Sequence, residues 1–394
     1  MNSAMTLNGR ISEYVAGDPV RFHMPGHKGK YPVCGSCDVT ELPQTFDLYS
    51  KDELCERVFS ETAARFGAGM TLYSCGGATL ALQTAIFACA RRGRMLVSEV
   101  HKSVSFAMAL CETEPVHFVF GDDIVPLLDG ADAVLITTED YYGRIAPDIV
   151  REYAAVCRAK RIPLICDNSH GTHLAFYKEG NLHPIGCGAD IVIDSAHKTI
   201  PALTGGAFLH LCGKYSASWR EFVEAMEVFG SSSPSFLIAA SLEWAARYMD
   251  SSRAELAALA VRLEGVRKRL RAVGCSFLDN SDPFRLTIFA GNAREIDAHL
   301  CSGGIISEFS DDNAVVLIPS IMNTGDDYEA LCDRMKDINV VTVSPPAPGG
   351  LRHVQTVSPH EALFAKKRYP GVAVRPVYAY PPGIAVTHIG ESEP

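Results

Sequence analysis

Three short stretches of the sequence place polar residues next to apolar runs, and their residue types could act together in catalysis. In the first, "CGGATLALQ", Gly76, Gly77, Ala78 and Thr79 open a helical run that extends to residue 90. Glycines let backbone N–H groups approach an anion, and the positive end of the helix adds attraction, so this stretch could bind a phosphate. A glycine pair before a helix is more often an ordinary turn, so this stretch alone is a weak signal.

The second stretch, "ICDNSHGTH", places Asp167 directly after an apolar run. A carboxylate there could hold a protonated ring nitrogen or a metal ion, and His170 and His173 could serve as ligands or as acid–base groups. The pattern Asp-x-x-His is common in loops, so it also needs support from the rest of the chain.

The third stretch, "DSAHKTIPALTGG" at residues 194–206, places Lys198 after another apolar run. A lysine that is partly withdrawn from water loses basicity and can form a Schiff base with an aldehyde, whereas a lone lysine after a strand is usually a surface residue. The occurrence of a phosphate site, a carboxylate and a lysine in this order favours a Schiff-base lysine over a surface lysine. Together they are the set that holds pyridoxal phosphate by its phosphate, its pyridine nitrogen and its aldehyde.

The elements that must position these residues alternate in type between residues 70 and 212, as in a mostly parallel sheet covered by helices. Predicted strands are "RMLVSEV", "VHFVF", "AVLITTE", "IPLICDN", "ADIVIDS" and "GAFLHL". A long helical region over 235–273 precedes shorter pieces, "RLTIFA", "AREIDAHL", "AVVLIP" and "DYEALCDRM". We therefore expect an N-terminal segment (1–60), a major α/β domain (61–274) and a small α+β domain (275–394).

Composition and charge exclude several functional classes. The 394 residues are 47% hydrophobic and 21% charged, with a net charge of -10, so they form a large core and argue against nucleic acid or an anionic membrane as partner. No signal peptide or spanning run is evident, and we expect a cytoplasmic protein. The 13 cysteines lie mostly in apolar segments, and Cys34 and Cys37 lack a second pair of metal ligands, so no metal site is expected.

The sequence also resembles a known family, the bacterial ornithine/lysine/arginine decarboxylases of pyridoxal phosphate fold type I. The resemblance rests on "RFHMPGHKGK", "EVHKSV", "PLICDNSHGTH", "SAHKTIPALTGGAFLH", "SSSPSFLIAASLE" and "YPPGI", in that order. It implies a fold type I major domain with a smaller α+β C-terminal domain, in a short form without the N-terminal wing domain. It also implies pyridoxal 5'-phosphate as cofactor.

The resemblance implies a role for each matching residue near the cofactor. Lys198 matches the Schiff-base lysine, and its neighbour His197 matches the histidine that precedes it. Ser195 matches a hydroxyl that helps hold the phosphate. Asp167 matches the partner of the pyridine nitrogen, and His101 matches the imidazole that stacks on the ring. Lys198 or His101 could return a proton to Cα.

Other matches concern the substrate and a second subunit. Ser232 and Ser233 match polar groups that reach the site of the neighbouring subunit, so a homodimer is implied. Glu391 matches a terminal glutamate that faces the distal amine of the substrate. Ser169 and His170 complete the expected cofactor-binding set. The loop around His23 and His27 could close the site or the dimer.

Several residues depart from the family pattern. The stretch "GGATLA" offers one hydroxyl, Thr79, where consecutive hydroxyls are usual. Ser169 in "DNSH" replaces a small alanine, and Glu139 and Asp140 stand where Ser-Pro or a similar pair is usual. These departures do not change the inference about the cofactor, but they weaken the inference about the substrate.

We therefore predict a decarboxylase that converts lysine, ornithine or arginine to the corresponding amine. One alternative is another reaction on the same cofactor, such as that of an aminotransferase, a lyase or a decarboxylase of a non-basic amino acid. The other is a non-catalytic cofactor-binding or regulatory protein. An arginine that clamps a substrate carboxylate would favour transamination, and Arg375 is a candidate.

Overall fold

A computed structural model describes residues 17, 20–22, 28, 47–49, 53–279, 281–347, 353–365, 369–379 and 384–392. The strands are β1 (Val20–Arg21), β2 (Met70–Ser74), β3 (Arg94–Val97), β4 (Glu114–His117), β5 (Ala133–Thr137), β6 (Leu164–Asp167), β7 (Ile191–Asp194), β8 (Ala207–Leu211), β9 (Leu286–Phe289), β10 (Ile305–Ile306), β11 (Phe309–Ser310), β12 (Ala314–Leu317), β13 (Val377–Ala379) and β14 (Ile384–Thr387).

The helices are α1 (Glu53–Phe66), α2 (Gly77–Ala90), α3 (Lys102–Leu110), α4 (Pro147–Lys160), α5 (Pro184–Cys187), α6 (Ala196–Thr199), α7 (Lys214–Ala217), α8 (Trp219–Phe229), α9 (Phe236–Ser251), α10 (Arg253–Ala272), α11 (Ala293–Ser302), α12 (Gly325–Arg334) and α13 (Pro359–Phe364). Short 3-10 turns cover Val125–Leu127, Thr172–Phe176, Lys178–Gly180 and Met335–Asp337.

A seven-stranded sheet with the order β2-β8-β7-β6-β5-β3-β4 forms the centre of the fold. Strand β8 pairs antiparallel with both of its neighbours, and the other pairings are parallel. Alternate residues of the strands pack on opposite faces. Ile165 and Ile193 belong to one apolar cluster, whereas Cys166 and Val192 belong to the other. Burial on both faces explains the nearly continuous apolar runs of the sequence.

The predicted elements of the major sheet are confirmed, with one shift and one omission. Each of the six predicted strands overlaps one of β3 to β8. Strand β4 ends at His117, before the predicted end at residue 120, and Val119 and Phe120 instead line a cavity. Strand β2 was not predicted, because Thr71 and Ser74 interrupt its apolar run and because it pairs with β8, a strand distant in sequence.

A smaller antiparallel sheet, β11-β12-β9, follows the helices α9 and α10, which divide the predicted helical region at Ser252. Of the shorter pieces of this region, "RLTIFA" and "AVVLIP" contain the strands β9 and β12, and "AREIDAHL" and "DYEALCDRM" lie in the helices α11 and α12. The domain boundaries remain a prediction. Among the residues described above, no helix is both long and apolar enough to cross a membrane.

Candidate active site

A cavity of about 1000 Å³ lies at the carboxyl ends of the parallel strands β5, β6 and β7. This is the edge of an open α/β sheet at which ligands generally bind. The cavity brings together most of the predicted site residues: Gly77, Ala78, Thr79, His101, Asp167, Ser169, His170, Ser195, His197 and Lys198.

The Lys198 amine lies in this cavity because the short helix α6 directly follows strand β7. Its Nζ is 3.1 Å from Nε2 of His170. Burial lowers the pKa of Lys198, while the nearby carboxylate of Asp167 opposes this shift. Burial also holds the pKa of His170 well below its usual range, and the charge of Lys198 adds to this effect. A neutral imidazole therefore contacts an amine of reduced basicity, which is the state required of a nucleophile.

The Asp167 carboxylate is the last side chain of strand β6 and is buried. Its Oδ1 accepts hydrogen bonds from the backbone N–H of Ser169, at 3.2 Å, and from the Ser169 hydroxyl, at 2.5 Å. Both bonds use the same oxygen. Ser169, a departure from the family pattern, therefore fixes the orientation of this carboxylate.

The His101 imidazole lies at the start of helix α3 and also lines the cavity. Its Nδ1 accepts a hydrogen bond from the backbone N–H of Ser103 at 3.2 Å, so the ring caps the helix. Burial lowers the pKa of His101 to about 4, although the charge of Asp167 raises it. The ring is therefore neutral near pH 7, with its orientation set by the cap.

The first turn of helix α2 forms another wall of the cavity. Gly77 has a φ of +69°, a conformation that favours glycine, and its N–H donates to the carbonyl of Gly205 at 2.7 Å. This N–H is therefore already used, and the N–H groups of Ala78 and Thr79 remain as the predicted anion donors of this turn. Gly76 does not line the cavity.

The side chain of His197 contacts Gly206, the residue directly before β8. Its Nδ1 is 3.1 Å from the carbonyl oxygen of Gly206 and 3.4 Å from the Ser195 hydroxyl. Because a carbonyl can only accept, Nδ1–H donates to Gly206 and the Ser195 hydroxyl can point its own hydrogen into the cavity.

A network of buried hydrogen bonds, which was not predicted, lies next to the residues of the site. Asp194, the last residue of β7, accepts hydrogen bonds from Nε2 of His183 and of His210, each at 3.0 Å. Its Oδ1 accepts a third bond from the Asn168 amide at 2.7 Å. The Thr138 hydroxyl donates to Oδ1 of Asn168 at 2.7 Å. The two strand ends that carry Asp167 and Lys198 are thereby tied together.

A buried ion pair joins the cavity wall to the chain near β9. Arg285 donates through Nη2 to Oε1 of Glu139 at 2.7 Å, and both side chains are almost completely buried. His173 contacts Asp282 in the same region, with Nε2 3.0 Å from Oδ2, and does not line the cavity. Glu139, another departure from the family pattern, is therefore an ion-pair partner of a residue 146 positions away.

A further carboxylate, Glu308, lines the cavity from the turn before β11. The Tyr141 hydroxyl donates to its Oε1 at 2.6 Å. Lys28 is buried nearby, and burial lowers its pKa to about 7, although the charge of Glu308 raises it. Neither Glu308 nor Tyr141 was among the predicted site residues, because they lie 167 positions apart.

Some predicted residues lie elsewhere. Ser232 and Ser233 are exposed, Arg375 is exposed, and none of them lines the cavity. Glu391 is also absent from the cavity wall and lies in a buried cluster with His117, His353 and His388, where its Oε2 is 3.0 Å from Nδ1 of His353. His23, His27, Cys34 and Cys37 lie outside the described residues.

Comparisons with known proteins agree on the family and the fold. The family model described as Orn/Lys/Arg decarboxylase, major domain, matches residues 124–290. An uncharacterized protein, YaaO, of Bacillus subtilis is 26% identical, over 75% of this chain and 70% of the relative. An arginine decarboxylase of Bacillus subtilis is 23% identical, over 97% of this chain and 89% of the relative.

A solved structure supports the fold. The lysine decarboxylase LdcF of Francisella novicida matches with a TM-score of 0.70 at 16% identity, over 88% of this chain. The chain spans 66% of the length of that structure. At this level of identity the likeness concerns the fold, which is built on the mostly parallel sheet described above.

Proposed function

Because the chain belongs to the Orn/Lys/Arg decarboxylase family of pyridoxal-phosphate-dependent enzymes, we propose that it removes the α-carboxylate of a basic amino acid. Its fold is that of the fold type I enzymes of this cofactor. The observation that carries the proposal is a half-buried lysine of reduced basicity in one cavity with a strand-end carboxylate and a neutral imidazole: Lys198, Asp167 and His101.

The described residues fit this cofactor. An amine, a carboxylate and a helix N-terminus line the same cavity, and Nδ1 of His170 is buried without a hydrogen-bond partner among the described residues. We assign Lys198 to the aldehyde, Asp167 to the pyridine nitrogen and His101 to the ring face. The phosphate falls to the first turn of α2, at Ala78 and Thr79, and to Ser195 and His197.

Pyridoxal phosphate, when bound, supplies a ring that accepts the electron pair left on Cα when CO2 departs. Asp167 has the charge required to keep a proton on the pyridine nitrogen, and Ser169 keeps its carboxylate oriented. Lys198, whose basicity is reduced by burial, is suited to bind covalently and to return a proton to Cα. Neutral His170 can accept a hydrogen bond from the Lys198 amine over 3.1 Å and so orient it.

The charge of the cavity wall supports a cationic substrate. Six acidic residues line it, whereas its basic side chains are Arg144, which pairs with Asp140, and Lys198, whose basicity is reduced by burial. The acidic residues are Glu99, Glu139, Asp140, Asp167, Asp279 and Glu308. An anionic wall attracts an ammonium or guanidinium group and repels a second carboxylate.

We further propose a homodimer in which Ser232 and Ser233 contribute to the site of the partner subunit. Both lie on an exposed segment, 231–233, that precedes helix α9. This position is compatible with contact to a second copy of the chain. Glu391 would reach a substrate only if a second chain brought its cluster to the cavity.

Product formation tests the proposed reaction. Cofactor-loaded protein is incubated with lysine, ornithine, arginine and a set of non-basic amino acids, and amines and CO2 are measured by mass spectrometry. An amine from a basic amino acid is expected. A keto acid, or an amine from a non-basic amino acid alone, would replace this proposal with another reaction on the same cofactor.

Borohydride reduction tests the covalent residue separately. Reduction should fix the cofactor mass on the peptide that contains Lys198, and Lys198→Ala protein should not be labelled. Lys102, which follows His101, is the matched control, since Lys102→Ala protein should label as the unmodified chain does. Label on any other lysine would remove Lys198 from the role.

A further inference from the structure

We propose that Glu308, held in place by Tyr141, is the carboxylate that receives the distal cationic group of the substrate. This inference rests on the proposed function, because it names the residue that would select a basic over an apolar side chain. It assigns to Glu308 the role that the sequence predicted for Glu391.

Glu308 is fixed on both its backbone and its side chain. Its N–H donates to the carbonyl of Val316 on the neighbouring strand at 2.9 Å, and its Oε1 accepts from the Tyr141 hydroxyl at 2.6 Å. The Tyr141 ring is itself packed edge-on against His170 and Phe309, with centroid distances of 5.0 and 5.5 Å. A carboxylate held in this way loses little conformational freedom when a cation binds.

The same contacts connect Glu308, through Tyr141 and His170, to the amine of Lys198. His170, against which Tyr141 packs, lies 3.1 Å from Nζ of Lys198, and the charge of Glu308 favours the charged form of Lys198. If the substrate Cα is held near Lys198, its side chain extends within the cavity that Glu308 also lines.

Most other carboxylates of the cavity already serve other groups. Glu139 pairs with Arg285, Asp140 pairs with Arg144 at 2.8 Å, and Asp167 is assigned above to the pyridine nitrogen. Asp279 is exposed, so water screens its charge. Glu99 is half-buried and provides a direct comparison for Glu308.

Lys28 brings a second amine under the influence of Glu308. Its amine is buried, and burial and the charge of Arg285 disfavour its charged form, whereas the charge of Glu308 favours it. A substrate ammonium would compete with the Lys28 ammonium for the same carboxylate. Removing the Lys28 amine should therefore strengthen the binding of a basic amino acid.

Lysine and norleucine form the matched pair of probes, because they differ by the distal amine. Their affinities for the holoprotein are measured from the change in cofactor absorbance on titration, and KM and kcat are measured wherever turnover occurs. Glu308→Gln should raise the KM and Kd for lysine about 10- to 100-fold, the effect of losing a hydrogen bond to a charged group, and leave norleucine binding unchanged. Glu308→Asp should restore part of the lysine affinity.

Three further variants separate the proposal from a structural effect. Tyr141→Phe should raise the lysine Kd by a smaller factor, and Lys28→Met should lower it. Glu99→Gln should leave the ratio of the lysine and norleucine affinities unchanged.

The outcomes distinguish this inference from the proposed function. Equal loss of lysine and norleucine binding in both Glu308 variants, or loss in Glu99→Gln instead, would overturn the assignment of Glu308. If the unmodified holoprotein binds lysine more tightly than norleucine through Glu308 but forms no amine, the inference stands and the proposed reaction fails.

Discussion

Replacing Asp194 by asparagine should destabilise the protein strongly, although Asp194 does not line the cavity. The carboxylate is fully buried and accepts three hydrogen bonds, from His183, His210 and Asn168. Both histidines donate to Oδ2, so an asparagine that turns its oxygen toward them keeps these two bonds, now to a neutral acceptor, and turns its own N–H groups toward the Asn168 amide. A bond to a charged acceptor contributes about 1.5–3 kcal/mol and a neutral one about 0.5–1.5 kcal/mol, so one lost bond and two weakened bonds should cost about 3–5 kcal/mol.

Urea unfolding of the cofactor-free protein, followed by tryptophan fluorescence, measures this cost. With a slope of about 3 kcal/mol per M, the midpoint should fall by about 1–2 M. Asp148→Asn is the matched control, because that carboxylate is on the surface and pairs only with Arg151 among the described residues, and its midpoint should not move. A midpoint for Asp194→Asn within 0.2 M of the unmodified chain, or roughly 0.6 kcal/mol at this slope, would refute the reasoning.

The effect should also depend on pH in a fixed direction. The two histidines hold the pKa of Asp194 below its ordinary value, so the folded state favours the ionised carboxylate. This contribution is fully present above the unfolded pKa of about 4 and is lost as the pH falls below it. The difference in midpoint between the unmodified chain and Asp194→Asn should therefore shrink below pH 4.

Three other predictions concern the ion pair, the helix start and the histidine cluster. Arg285→Met leaves the buried Glu139 carboxylate unpaired and should cost about 3–5 kcal/mol of stability in urea unfolding, whereas the double variant with Glu139→Gln should recover part of this loss. Gly77→Ala places a side chain at φ +69° and should weaken cofactor binding about 5- to 30-fold in an absorbance titration, the equivalent of 1–2 kcal/mol of strain. Burial lowers the pKa of His117 to about 4 and of His388 to about 3. Acidification from pH 7 to 5 should therefore lower the free energy of unfolding by about 2–4 kcal/mol, because the unfolded imidazoles bind protons near pH 6.5. Hydrogen exchange of residues 384–392 should accelerate over this range, and His388→Gln should reduce the change.

The sequence by itself determined the fold class and several of the residues that line the cavity. Lys198 and Asp167 lie at the ends of strands whose apolar runs are visible in the sequence, and parallel strands carry their carboxyl ends to one edge of the sheet. The first turn of α2 was also visible, because it opens a helical run after a short segment. For these residues a local pattern and a general rule of sheet topology were sufficient, whereas His101 was predicted from the family resemblance alone.

The tertiary structure decided which distant residues complete the site. Glu308 meets Tyr141, and Arg285 meets Glu139, across 167 and 146 positions, and no local pattern marks such a pair. The tertiary structure also placed Glu391 in a histidine cluster outside the cavity, where the motif alone predicted a contact with substrate. Local propensity fixes where a strand or helix ends, whereas the partner of a buried charge is set by how separate elements pack, because an unpaired charge is costly in the interior.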